Sequence, residues 1–364
     1  MKLAIIPWSD KELNDNLFFY EEQNGNRILR DNNSKRLRDE FIKYGHEVHT
    51  IDCYEKLEDI DEFLFFVPDW KLVKKIMKLG MTDRMVYCNA EPPTVTWLNT
   101  PKGYKILKQI FPYILTWNLN WVDNQSIFRR NIPYVFQKEN IGNVRFEDRK
   151  LLTGISGNKK SNYVDELYSE RERVYTFFEK HYPGEFTFYG TGWDKAKHSC
   201  YGGRVDDKSE TYHNYKFAIC FENTKNVKGY ITEKIFDCIC SGIVPVYAGA
   251  DDIRDYVPQE CFIDYFKFAS YEELAEFLVS MSESEYNKYL EAARKLLSTN
   301  IQDKFSGEEY ARDILNAVSY KKNFKPTMWG ESYVNLMVYS EVLIAAIKDV
   351  YRKVWKNRRK IWQK

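Results

Sequence analysis

Short apolar runs that alternate with amphipathic stretches are the feature that most constrains the fold of this chain. LAIIP, EVHTI, FLFFV, RMVYC and YILTW in the first part of the chain have segments with helical spacing between them, such as Ser34 to Tyr44. The same alternation resumes after residue 150 with LLTGI, FTFYG and KFAIC. Strands that alternate with helices predict parallel sheets covered by helices on both faces.

The length of the chain predicts two such units. A chain of 364 residues exceeds the roughly 250–300 residues at which single hydrophobic cores stop growing. The polar stretch QKENIGNVRFEDRK, residues 137–150, is typical of a linker. We therefore expect an α/β protein with two Rossmann-like, doubly wound domains that face a cleft, over residues 1–147 and 148–320, and a helical tail over 321–364.

Charge and hydropathy exclude several classes of protein. The chain carries 54 basic and 53 acidic residues, a balance that excludes a strongly basic nucleic-acid binder. No stretch approaches the roughly 20 apolar residues of a membrane-spanning helix. The start, MKLAIIPWSD, turns polar too soon for a signal peptide and favours a first strand.

The cysteines and histidines predict no metal site. The seven cysteines form no CxxC spacing, which, with no export signal, predicts reduced thiols in the cytoplasm. His46 and His49 are a close pair, but no acidic or cysteine partner has the spacing of a zinc site. The acidic triplet Asp59-Ile60-Asp61 resembles the motif of metal-dependent sugar transferases, but its surroundings favour a solvated helix face.

The tail is basic and amphipathic. From Lys348 onward eight basic residues face a single acidic one, Asp349, and apolar residues such as Val354 and Trp355 are interleaved with them. This composition suits a helix that lies on an anionic membrane. A helix that packs on the protein and leaves its basic end in solvent fits equally well.

The densest signal for chemistry lies in YKFAICFENTKNVKGYITEKIFDCICSGIVPVYAGA, residues 215–250. KFAIC predicts a strand, Thr232 stands at an N-cap position, and an apolar helix follows as far as Cys240. Lys234 falls in the first helical turn, where the macrodipole prefers anions. A phosphate bound at this helix end would resolve the conflict, whereas a lysine that points to solvent or pairs with Glu233 is the simpler alternative.

This segment resembles the donor-binding motif of the α-1,3/1,4-fucosyltransferases, glycosyltransferase family 10. The family's YKF, FEN, YxTEK and VPV elements all stand here in order, and VPQECFIDYFKFASYEELAEFL continues the likeness. The match covers roughly Gly202 to Leu297. The resemblance implies a GT-B fold, in which the second domain binds GDP-fucose.

The resemblance also implies roles for individual residues on the donor side. Glu233 would contact the ribose and Lys234 the phosphates, with Asn223 and Tyr230 at further positions of the donor pocket. An arginine on the first helix of the second domain would clamp the diphosphate. In ERERVYTFF, Arg173 is the better match and Arg171 the second.

On the acceptor side the family has a glutamate near a proline at the end of a strand, proposed as the general base. Glu91, in NAEPPTV after the run RMVYC, matches that position. The base would take a proton from the acceptor hydroxyl as the sugar carbon is attacked, which inverts the donor configuration. Cationic groups would stabilise the departing diphosphate, so no metal cofactor is expected to be required.

The implied function is that of an inverting α-1,3(/4)-fucosyltransferase. The donor would be GDP-fucose, and the acceptor an oligosaccharide with galactose or N-acetylglucosamine in lipopolysaccharide or surface polysaccharide. The alternatives are a transferase for another GDP- or UDP-activated sugar, or a non-catalytic protein that binds nucleotide or glycan. We expect a cytoplasmic protein, peripheral on the inner face of the membrane through its tail, with no nucleic-acid partner.

Overall fold

Two parallel β-sheets organise the computed structural model, which describes residues 1–19, 32–137, 144–320 and 323–362, with side chains as far as 348. The first sheet has the strand order β2-β1-β3-β4-β5-β6. Its strands are β1 Lys2–Ile6, β2 Glu47–Thr50, β3 Glu62–Phe65, β4 Met85–Cys88, β5 Tyr113–Thr116 and β6 Ile127–Arg129.

The second sheet repeats the winding of the first. Its strands lie in the order β11-β10-β9-β7-β8. If β7 to β11 are counted from one to five, the order read from β8 is 2-1-3-4-5, which is also the order of the first five strands of the first sheet. The strands of the second sheet are β7 Lys150–Ile155, β8 Phe186–Tyr189, β9 Tyr215–Phe221, β10 Val244–Ala248 and β11 Ile263–Asp264. Doubly wound sheets of this order bind ligands where the winding reverses, here between β7 and β9.

Helices cover both sheets. They are α1 Asn16–Phe19, α2 Asn33–Lys43, α3 Trp70–Lys78, α4 Pro101–Leu107, α5 Tyr168–His181, α6 Lys208–Tyr212, α7 Glu233–Cys240, α8 Tyr271–Ser280, α9 Glu283–Leu297, α10 Ile301–Lys304, α11 Gly307–Ser319 and α12 Met328–Trp362. The second sheet separates one apolar cluster that contains Val174 and Phe178 of α5 from another that contains Ile235 and Ile239 of α7. This layering confirms the predicted α/β class.

Central strands are buried on both faces, which explains their continuous apolar sequence. Every residue of β4, β5 and β10 is buried, as expected for parallel strands with helices on both sides. The short strand β6 was not predicted, because three residues after the polar segment around Asn124 carry no periodic pattern.

The chain returns to the first sheet at its end. Ala311 and Ile314 of α11 are fully buried against residues of the first sheet, and Tyr333 of α12 lies edge-on to Trp70 of α3, with ring centroids 5.4 Å apart. The range predicted for the second domain, 148–320, therefore includes a helix that packs on the first sheet. The domain ranges themselves stay predictions.

The tail is helical as predicted, since α12 continues to Trp362. The basic side chains that predict membrane contact, from Arg352 to Lys364, lie outside the residues whose side chains the structure describes. In the described parts of the chain no helix combines the length and the apolar character needed to cross a bilayer.

One close contact joins the two sheets across the cleft. Gly229, in the loop between β9 and α7, has φ +84°, and a Cβ atom there would lie 2.0 Å from the carbonyl oxygen of Trp117, just after β5. The amide of Leu119 donates a hydrogen bond of 3.2 Å to the carbonyl of Lys228 in the same place. The close approach requires glycine, because any side chain would separate the two backbones.

We expect Gly229→Ala to destabilise the protein more than Gly203→Ala. Gly203 has a similar φ, +94°, but its added Cβ would meet no atom within 4 Å. Both variants incur the cost of a left-handed backbone, about 1–2 kcal/mol, and Gly229→Ala adds an overpacking cost of about 1–3 kcal/mol. Thermal and urea unfolding midpoints measure the difference, and equal midpoints would contradict the close contact.

Candidate active site

A cavity of about 510 Å³ opens at the carboxyl edge of the second sheet. Ser156 and Gly157 after β7 line it, as do Gly190 after β8 and Asn223 after β9. It therefore lies at the reversal of strand winding, where α/β sheets bind their ligands.

The lining of the cavity is positively charged. Among the described residues, five cations line it against three carboxylates. The cations are Lys159, Arg171, Arg204, Lys208 and Lys234, and the carboxylates are Asp206, Glu233 and Asp237. Such a surplus of cations suits an anionic ligand such as a diphosphate.

The first turn of α7 lies at this cavity. Thr232 is its N-cap, with a side-chain oxygen that accepts a hydrogen bond from the amide of Lys234, and Gly242 follows the helix with φ 66°. The unpaired amides of a helix N-terminus bind anions. The predicted N-cap and helix are confirmed.

Lys234 is held by a buried carboxylate. Its Nζ lies 2.9 Å from Oε2 of Glu222, 2.8 Å from Oγ1 of Thr232 and 3.5 Å from Oε1 of Glu233. Glu222 is fully buried, and it also accepts the backbone amide of Thr232 at 2.9 Å. The residue that follows β9 therefore supplies the anion that offsets a cation at the positive end of α7, and the lysine still lines the cavity.

Electrostatic coupling keeps these groups charged. Burial opposes the charged form of Lys234, but Glu222 and Glu233 outweigh it and raise the pKa of the ammonium. Burial likewise opposes the ionisation of Glu233, but Lys234 and Lys208 lower its pKa to about 2. Glu233 and Lys234 therefore both stay charged throughout the neutral pH range.

Asn223 and Tyr230 lie together but differ in their relation to the cavity. Asn223 lines it, and its Nδ2 donates to the hydroxyl of Tyr230 at 3.2 Å. Tyr230 is buried against Trp117, with ring centroids 4.6 Å apart. In this structure Tyr230 therefore supports Asn223 and the contact between the two sheets, and it is not among the residues that line the cavity.

The two candidate arginines differ in their relation to the cavity. Arg173 points away from the cavity, with a side chain that is 60% exposed and paired with Glu170. Arg171 lines the cavity, is buried, and donates through Nη2 to the carbonyls of Phe221 and Glu222 at 2.6 and 3.0 Å. Two residues along a helix turn a side chain by about 200°, so only one of the two can face the sheet.

Glu91 projects from a rigid loop after β4. Its side chain is exposed, whereas Pro92 and Pro93 beside it are buried. Asn89 fixes the base of the loop, because its Nδ2 donates to the hydroxyls of Tyr104 at 2.6 Å and Thr116 at 3.1 Å. A carboxylate is thereby displayed at the carboxyl edge of the first sheet.

The Glu91 loop is linked to the second domain indirectly through Trp117 and directly through Thr94. The carbonyl of Ala90 accepts the indole N–H of Trp117 at 3.1 Å, and Trp117 packs on Tyr230. The carbonyl of Thr94 accepts the hydroxyl of Ser161 at 3.0 Å, on the loop that precedes α5. These contacts place the loop against the donor side of the cleft, which sequence spacing could not show.

Several residues of the site were not predicted from the sequence. Glu222 belongs to the FEN motif, which the family resemblance singled out. Only the structure shows that its carboxylate is buried and holds the ammonium of Lys234. Lys159, Arg204 and Lys208 carried no signal, because charged loop residues are common and only the fold turns these three toward the cavity.

The fold defines a class of protein. A crystal structure of an α1,3-fucosyltransferase with GDP-fucose aligns with 90% of this chain and 93% of its own, with a TM-score of 0.54 and 15% identity. At this identity the likeness establishes the fold alone. The chain has the GT-B fold, with two Rossmann-like domains, as predicted.

The sequence defines the family. Residues 156–342 match the model described as glycosyltransferase family 10 (fucosyltransferase), C-terminal part. An α-(1,4)-fucosyltransferase of Arabidopsis thaliana is 36% identical over 96 residues, covering 26% of this chain and 24% of that protein. The α-(1,3)-fucosyltransferase FucT of Helicobacter pylori is 31% identical over 122 residues, covering 33% and 23%.

The chain belongs to glycosyltransferase family 10, which confirms the resemblance. The matched segments span about a quarter of the length of these two relatives, 24% and 23%.

Proposed function

We propose that this protein transfers L-fucose from GDP-β-L-fucose to a hydroxyl of a galactose- or N-acetylglucosamine-type glycan, with inversion to an α-1,3 or α-1,4 linkage. The observation that carries the proposal is the cationic cavity at the first turn of α7, in the domain to which Ser161 ties the Glu91 loop through the carbonyl of Thr94. Surface polysaccharide or lipopolysaccharide is the proposed acceptor class.

The donor diphosphate is proposed to bind at the first turn of α7. Lys234 and the positive end of the helix dipole would attract the phosphates, and Arg171, which also lines the cavity, would add charge-assisted hydrogen bonds. Glu233 would accept hydrogen bonds from the ribose hydroxyls, since it stays ionised. Asn223 completes the proposed pocket, with Tyr230 behind it.

Glu91 is proposed as the general base. It would take the proton of the acceptor hydroxyl while the oxygen attacks the anomeric carbon from the face opposite GDP. The C–O bond to the diphosphate breaks in the same step, and its negative charge is stabilised by Lys234, Arg171 and the helix end. Because these protein groups supply the positive charge, we propose that the transfer requires no divalent cation.

Donor binding tests the proposed pocket. We expect the protein to bind GDP and GDP-fucose more tightly than UDP or ADP in titration calorimetry without added metal. Arg171→Lys should lower the affinity for GDP at least tenfold, because a charge-assisted hydrogen bond contributes about 1.5–3 kcal/mol to binding. Arg173→Lys, two residues away and outside the cavity, is the matched control and should bind as wild type.

Thermal unfolding of the Arg171 variant would show whether its fold is kept, since this arginine also holds two carbonyls of β9. A preference for UDP would favour a transferase of another sugar. Absence of nucleotide binding by the wild-type protein would favour a non-catalytic relative.

We expect Glu91→Gln to lower kcat for fucose transfer by about 10²–10⁴, the range of general base catalysis. GDP affinity should stay within about twofold, since the side chain lies outside the donor cavity. Glu55→Gln removes another exposed loop carboxylate and serves as the control. Unchanged turnover of the Glu91 variant would assign the base to another residue.

The tail is proposed to hold the enzyme on the inner face of an anionic membrane. The eight basic residues from Lys348 onward, with tryptophans among them, support this proposal. Each lysine or arginine near such a surface contributes about 1 kcal/mol.

Deletion from Lys348 should abolish sedimentation with phosphatidylglycerol vesicles and leave transfer to a soluble acceptor intact. Phosphatidylcholine vesicles are the control, and 1 M salt should release the full-length protein because it screens the charges. Equal sedimentation of the shortened protein would contradict the membrane proposal.

A further inference from the structure

A group of metal-ligating side chains lies in the first domain, away from the donor cavity. Asp15, His49 and Cys53 each present one ligand atom, and these atoms all lie within 4.8 Å of one another. Asp15 follows β1, His49 lies in β2, and Cys53 ends the turn after β2. The histidine, for which the sequence spacing offered no partner, thus acquires two partners through the fold.

The hydrogen bonds around Asp15 leave one oxygen directed at the group. Its Oδ1 accepts the backbone amide of Thr50 at 2.8 Å, while its Oδ2 lies 2.6 Å from Nδ1 of His49. Its own backbone amide donates to Oγ1 of Thr50 at 2.9 Å. The carboxylate is therefore oriented by bonds to the backbone of β2, as the carboxylate ligands of metal sites commonly are.

A second carboxylate lies near His49, on the side of the ring away from Asp15. The Nε2 atom of the ring lies 3.9 Å from Oε1 of Glu47. At 3.9 Å the two atoms are too far apart for a hydrogen bond, but the negative charge of Glu47 adds to the attraction of the group for a cation. Glu47 and His49 point to the same face of β2, because they are two residues apart.

We propose that Asp15, His49 and Cys53 bind a zinc-class divalent cation, which fastens the segment after β1 to the end of β2. One nitrogen, one sulfur and one oxygen ligand suit Zn²⁺, whereas Mg²⁺ and Ca²⁺ prefer oxygen ligands alone. His49 and Cys53 are separated by three residues, a spacing within the range of zinc ligand pairs, contrary to the expectation drawn from the sequence. Three protein ligands leave the fourth position to water.

Binding exchanges protons for the cation. The cation takes the place of the proton between Asp15 and His49, and the thiol of Cys53 releases its proton to solvent as the sulfur–metal bond forms. Affinity should therefore increase with pH, because protons compete with the metal.

The site is structural, and it is separate from the proposed transfer chemistry. Its ligands come from the carboxyl edge of β1 and β2, and none of them lines the donor cavity. The cation would fix a segment in which Asn14 and Asp15 both have a left-handed backbone, with φ 55° and 59°. The expected effect is on the stability of the first domain.

Cobalt titration of the untagged full-length protein, freed of metal with a chelator, tests the proposal. We expect one equivalent of Co²⁺ to bind with a thiolate-to-cobalt charge-transfer band, and Zn²⁺ to displace it. Cys53→Ser should remove the charge-transfer band. His49→Gln and Asp15→Asn should each lower the affinity for Zn²⁺ at least tenfold. His46→Gln alters the neighbouring histidine, which lies outside the group, and should bind as wild type.

Unfolding measurements separate loss of binding from loss of fold. Zn²⁺ should raise the unfolding midpoint of the wild-type protein and of His46→Gln, and leave that of Cys53→Ser unchanged. The metal-free variants should keep the circular dichroism of the wild type. Absence of the charge-transfer band in the wild type, or equal Zn²⁺ affinity in Cys53→Ser, would overturn the proposal.

Discussion

The contact between the loop after β9 and the end of β5 is the constraint on which the site depends. Gly229 allows the loop to reach the carbonyl of Trp117, and Tyr230 then packs on the indole ring. The same indole donates to the carbonyl of Ala90, the residue before Glu91. One buried tryptophan therefore sets the position of the predicted base loop relative to the predicted donor loop.

The second determinant is a carboxylate that water does not reach. A buried ion pair is costly to form, and removal of one partner leaves an uncompensated charge. Glu222 accepts the ammonium of Lys234 and both donors of Thr232, so its hydrogen-bonding capacity is used within β9 and α7. This arrangement keeps a cation at the positive end of a helix dipole, ready for an anionic ligand.

The two domains have the same strand order but use their edges differently. In the second sheet the reversal of winding, between β7 and β9, forms a cationic cavity. In the first sheet the corresponding edge displays an exposed carboxylate on a loop fixed by two prolines, and carries the Asp15, His49 and Cys53 group. The proposed transfer would therefore place the charged donor at the second sheet and the acceptor at the first.

Sequence determined the class of the fold and the donor motif, because both are local. In the described part of the chain, ten of the eleven strands follow from apolar runs, including IVPVYAG for β10 and CFIDY for β11. The N-cap Thr232 follows from capping preference, and the helix from there to Gly242 follows from periodicity. Tertiary structure decided which side chains meet. It placed Arg171 at the cavity and left Arg173 outside it, since helical rotation allows only one of them to face the sheet. It paired Lys234 with the buried carboxylate of Glu222. It also brought Asp15 to His49 across 34 residues, a contact that depends on the neighbouring positions of β1 and β2 and leaves no periodic trace in the sequence.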